Sequence, residues 1–63
     1  IRTVVVTGDR VNIRTGAGSS YPVEIVACQG QTFVIYEVAS ADGASWGHIE
    51  NGGWICLSYT KNA

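Results

Sequence analysis

The chain has 63 residues, enough for one domain only; hydrophobic side chains make up 46% of it, and four basic against five acidic residues leave a net charge of −1. That composition excludes an intrinsically disordered segment, and so few basic groups argue against a nucleic-acid partner, whose binding needs a basic face. A chain this short removes only roughly 60% of its unfolded surface from water, so one thin core has to suffice.

No stretch keeps a 3.6-residue apolar period over ten residues, whereas β-branched residues and turn signals recur at short intervals. This is the pattern of a small barrel or sandwich. Strands are predicted at residues 3–6, 10–14, 23–28, 32–38, 45–50 and 53–57. In the second, Val11 and Ile13 alternate with Arg10, Asn12 and Arg14, which assigns the apolar pair to the core.

The run "TGAGSSYP" follows, six small residues leading into Tyr21 and Pro22. A dinucleotide fingerprint would need glycine in place of Tyr21 and a helix starting there, and a Walker motif would need a Gly-Lys pair, yet the only lysine is Lys61. The strand pattern resumes at Val23, so the run is no linker. It reads as a loop that folds closely over the sheet and presents Tyr21, flanked by Asn12 and Arg14.

Three turns then divide the rest: "CQGQ" at 28–31, "ADGAS" at 41–45 and "NGG" at 51–53. Asp-Gly and Asn-Gly are strong hairpin signals because both residues tolerate positive φ, so three consecutive hairpins, a meander, are expected. Along the fourth strand Phe33 and Ile35 are assigned inward, leaving Val34 and Tyr36 outward; in the last, Ile55 and Leu57 oppose Trp54 and Cys56.

Chemistry-bearing residues are sparse. The single histidine, His48 in "WGHIE", has no nucleophile motif near it and reads as a strand residue on the polar face. The carboxylates stand singly at turns and strand edges, so no acid–base pair is expected. Two cysteines make no metal site. Cys28 and Cys56 are candidates for one disulfide, which would stabilise by about 2–4 kcal/mol; the alternative is two small hydrophobes with free thiols. We expect no enzyme, no metal and no cofactor. Arg2, Arg10 and Arg14 gather in the first strands and could meet a carboxylate or another polar anion, although solubility alone would account for them. No apolar run is long enough to span a bilayer. Ile1 at the start, with no Met in the chain, leads us to expect a piece of a larger multidomain protein.

Trp46, Trp54, Tyr21, Tyr36, Tyr59 and Phe33 exceed what one thin core can hold. Phe33 suits the core. The others suit a shallow recognition groove, where flat rings cover a ligand at low entropic cost; the alternative for Trp46 and Trp54 is to cap the ends of a barrel.

With these residues in view, the chain resembles the bacterial SH3 (SH3b) domain. "VNIRTGAGSSYPV" is similar to that family's opening pattern, "QGQT" to its turn before a core strand, and "WGHIENGGWICLSYT" to its closing hairpin and final aromatics. The likeness spans residues 9–60. It implies an SH3-like small barrel of five to six short antiparallel strands joined by tight hairpins. It also implies an extracellular or cell-wall location, as a non-catalytic module of a secreted hydrolase or surface protein. Such modules bind peptidoglycan through its stem or cross-bridge peptides. By position, Asn12 and Arg14 match the family's Asn and Arg, Tyr21 its loop tyrosine, and Trp54 and Tyr59 its final-strand aromatics. The chain departs from the family in being slightly acidic, with His48 where lysine is common, and in carrying two cysteines.

The leading expectation is therefore a groove of Tyr21, Tyr36, Trp54 and Tyr59 that holds a wall peptide against the loop, with Asn12 and Arg14 beside it. Tethering would then raise the local concentration of a catalytic neighbour on its substrate. The alternative is a protein–protein interaction or assembly module of a surface or toxin protein, docking on flanking domains of the same chain. An oligonucleotide-binding barrel and a spacer without ligand are further readings, the former opposed by the charge.

Overall fold

The computed structural model describes residues 1–63 and arranges seven strands in one antiparallel sheet. They are β1 (Arg2–Val6), β2 (Arg10–Arg14), β3 (Val23–Cys28), β4 (Thr32–Ala41), β5 (Ala44–Ile49), β6 (Trp54–Cys56) and β7 (Thr60–Asn62), with a 3-10 turn at Leu57–Tyr59 before the last. Across the sheet the order is β3-β2-β6-β5-β4-β1-β7. The all-β class and the compact antiparallel sheet agree with the sequence. The closed barrel of five to six strands does not form. A seventh strand is present, and no ladder joins β3 to β7, so both remain open edges. The extra strand has no apolar alternation to announce it: Thr60, Lys61 and Asn62 pair through their backbone with Val6, Val5 and Val4.

The sheet is nevertheless strongly bent. Along a flat sheet β2 and β1 would stand four strand spacings apart, about 19 Å. Val4 and Val6 of β1 instead share one core with Val11 and Ile13 of β2, Ala27 of β3, Ile35 of β4, Ile49 of β5 and Ile55 of β6. Phe33 and Leu57 pack against this cluster from its edge. The inward assignments of Val11, Ile13, Phe33, Ile35, Ile55 and Leu57 therefore hold, and Tyr36 lies exposed as expected. The molecule measures 25 × 22 × 22 Å, and no helix in it is long and apolar enough to cross a membrane.

Two of the three expected hairpins form. At "ADGAS" Asp42 (φ 54°) and Gly43 (φ 73°) both adopt the left-handed region, the backbone of a two-residue turn whose twist matches the strands it joins. At "NGG" the Asn51 side chain accepts from the Gly53 N–H, and the Ile49 N–H donates to the Gly53 carbonyl. The "CQGQ" turn does reverse the chain, with Gln31 N–H donating to Cys28 O, but the strands it links are not neighbours. β3 spends its inner edge on β2, while β4 lies between β1 and β5. The meander is thus confined to β4-β5-β6.

The proposed disulfide is absent: Cys28 and Cys56 are free thiols, the first exposed and the second buried. Their strands, β3 and β6, are separated by β2. Two strand spacings amount to about 9–10 Å, beyond the Cα separation that a disulfide spans.

Candidate functional site

The sheet has a second face worth following, the one turned away from the core. Pairing of Trp46 with Cys56 puts them side by side across β5 and β6, and pairing of Ile13 with Ile55 brings Asn12 of β2 into the same row. Alternation sends all three outward, because their neighbours Gly47, Ile55 and Ile13 face the core. Outward residues on a small sheet ought to be wet. Asn12 is exposed, yet Trp46 is only 5% exposed and Cys56 8%.

The cover comes from three segments. The arch of residues 15–22 contributes Ser19 on one side, the β4–β5 hairpin Asp42 and Ala44 on another, and the β1–β2 connection Gly8 and Asp9, with Tyr59, on the third. Between them lies a cleft of about 500 Å³. Asn12, Trp46 and Cys56 line its middle, Arg14, Ser19 and Asp42 one end, and Gly8, Asp9, Arg10 and Tyr59 the other. The Trp46 indole N–H is already satisfied by the Ala41 carbonyl at 3.1 Å, so the ring offers the cleft its apolar surface. Tyr59 is fixed through its carbonyl, which accepts from the N–H groups of Thr7 and Gly8.

The arch keeps its shape through short contacts that its small residues allow. Arg14 Nη1 donates to the Tyr21 carbonyl at 2.9 Å, and Thr15 N–H to the Pro22 carbonyl at 3.1 Å. At the tip, the backbone N–H and hydroxyl of Ser19 both donate to Asp42 Oδ2, at 2.8 and 3.1 Å, and clasp the arch to the hairpin 23 residues away. The Tyr21 ring lies against Gly16, where a Cβ would come within 2.6 Å of the ring carbons. Any larger residue there would push the ring aside, which explains a buried glycine in the middle of a surface loop.

The residues singled out from the sequence separate accordingly. Asn12, Arg14 and Tyr59 meet in the cleft. Tyr21 braces the arch with its ring and its carbonyl and does not line the cleft. Trp54 stacks on His48, ring centroids 4.5 Å apart and planes 5° from parallel. Tyr36 stands apart on β4, beside Ile1 and Arg2. The four aromatics Tyr21, Tyr36, Trp54 and Tyr59 thus do not come together as one groove. Ser19, Asp42 and Cys56 enter the cleft without having been singled out as its ligand-binding residues, and Arg10, named above only as a possible anion contact, joins them. For Arg10 the signal was available, since strand alternation puts it on one face with Asn12 and Arg14. For Asp42 there was none, because its role depends on a loop tip distant in sequence.

The only close approach of a basic to an acidic side chain is His48 Nδ1 to Glu37 Oε1 at 3.6 Å, on the exposed side of β4 and β5. The imidazole Nε2 also lies 3.2 Å from the Gly52 carbonyl. Asp9, Arg10, Arg14 and Asp42, the four charged groups of the cleft, therefore face it without ionic partners. No three His, Cys, Asp or Glu side chains converge as a metal-holding group anywhere in the chain.

No family model matches the chain, and neither a curated protein nor a solved structure matches it.

Proposed function

We propose that this chain is a bacterial SH3 domain with an open, bent sheet, and that it acts as a non-catalytic, extracellular targeting module that binds peptides of the cell wall. The observation that carries the reading is the cleft over Asn12 and Trp46, walled by Arg14, Tyr59 and the clasped arch. Its size and mixed lining suit a few residues of extended peptide, with hydrogen-bond donors on one strand and aromatic surface beside them. The likeness of "VNIRTGAGSSYPV" and "GGWICLSYT" to the family's motifs supports it independently, since those segments supply Asn12, Arg14, Cys56 and Tyr59. Binding would serve by effective concentration, holding a catalytic neighbour near its substrate.

The test is co-sedimentation of the purified domain with peptidoglycan sacculi from several Gram-positive species. Retention that falls when Asn12 is changed to Ala supports the reading; absence of the domain from every pellet overturns it.

A second reading, docking on another protein or a flanking domain, is favoured by the open edge of β3. Val23, Ile25 and Val26 are each more than 40% exposed there, beside backbone groups that no strand pairs. It predicts binding to a flanking domain and none to sacculi.

A further inference from the structure

Three arginines of this chain have very different surroundings. Arg2 lies on β1, away from the cleft. Arg14 already has one guanidinium nitrogen committed to the Tyr21 carbonyl. Arg10 lines the cleft, is exposed, and has neither a hydrogen bond nor an ion pair to its side chain.

We infer that the cleft takes a peptide by its free carboxylate, with Arg10 as the receiving group; the inference rests on the wall-peptide reading and names the ligand chemistry of that same site. Arg10, Asn12 and Arg14 project from one face of β2, about 7 Å apart along the strand. A ligand lying along β2 therefore meets guanidinium, amide and guanidinium in turn, a row rich in donors. Of the carboxylates that could have neutralised them, Asp42 spends one oxygen on the two donors of Ser19, and no acid lies within ion-pair distance of either arginine. The missing acceptor is a group with two oxygens that the Arg10 fork can grip in a bidentate manner.

The rest of the lining fixes which carboxylate. The Trp46 indole N–H is consumed by the Ala41 carbonyl, so the small part of the ring left exposed in the cleft can meet only something apolar. The Asn12 amide has no intramolecular partner and sits one pleat from Arg10, where it can bond a backbone amide of the ligand. Carboxylate, amide and small apolar side chain in sequence describe the end of a short peptide with small residues. Asp9 at the same rim repels a carboxylate that does not engage Arg10, which favours directional binding over simple attraction of anions.

The test uses the intact 63-residue chain labelled with nitrogen-15, with acetyl-Ala-Ala and its C-terminal amide as probes, each in the L,L and D,D forms. The two tryptophans give separate indole N–H signals. The expected result is that one acid form shifts the Trp46 signal, and that its amide binds at least about tenfold more weakly, the loss of a hydrogen-bonded charge. Arg10→Gln should weaken binding of the acid to the level of the amide, while Arg2→Gln leaves it unchanged. Equal binding of acid and amide, or no shift with any acid form, overturns the inference. Co-sedimentation with sacculi is run in parallel. Sacculi retained without acid selectivity would sink the carboxylate inference and leave wall targeting in place. Acid-selective binding without sacculi would do the reverse.

Discussion

Trp46 and Trp54 sit on the same face of the same sheet, one strand apart, and their fates differ. Trp46 lies under the arch, nearly sealed from water, with its indole N–H bonded to Ala41. Trp54 occupies the next row, half-buried, stacked on His48 and paired across the ladder with Arg14. Parity along the strands treats the two alike. What separates them is their surroundings: Trp46 lines a cleft whose wall includes the Ser19–Asp42 clasp, and Trp54 does not. The cleft on this fold is therefore walled by loop residues as well as by the sheet.

Removing the buried tryptophan should have the largest effect. Trp46→Ala should cost about 3–5 kcal/mol, a large share of the stability of a domain this small, read as a collapse of the urea midpoint. Next is Gly16→Ala. The new methyl would collide with the Tyr21 ring, and overpacking of this kind costs about 1–3 kcal/mol. Its signature is specific: the Trp46 indole signal should move as the arch shifts, while that of Trp54 stays. Trp54→Ala should cost least, about 0.5–1.5 kcal/mol, from a lost stack with His48 and a half-exposed ring. It should leave the Trp46 signal in place. Were Trp54→Ala as damaging as Trp46→Ala, the distinction between covered and uncovered rows would fail.

Much of the sheet was legible in the sequence because it is written in local patterns. Alternation of Val11 and Ile13 with Arg10, Asn12 and Arg14 assigns a face, and Asp42-Gly43 and Asn51-Gly52 mark turns that need positive φ or a side-chain cap. Non-local pairing was not legible. Nothing in "CQGQ" distinguishes a hairpin from a turn that sends β4 across the molecule to β1, and Thr60–Asn62 pairs through backbone groups that every sequence possesses. The candidate site divides the same way. Asn12, Arg14 and Tyr59 were marked by their positions in the motifs of the resemblance, and strand parity put Asn12 and Arg14 on the outer face. Burial of Trp46 and Cys56 and the clasp by Asp42 depend on where an eight-residue loop comes to rest, which no local pattern encodes. Tyr21 was read as a ring at the groove edge; it is half exposed, but its ring lies against Gly16, whose missing side chain makes the space, and outside the cleft.

In the proposed binding mode, ligand enters the cleft beside Asn12 and Trp46. The most direct measurement is a titration of the nitrogen-15-labelled domain with muropeptides released from sacculi, following both indole N–H signals. The account predicts a saturable shift of Trp46 with Trp54 unmoved; a shift of Trp54 alone, or of neither, would contradict it.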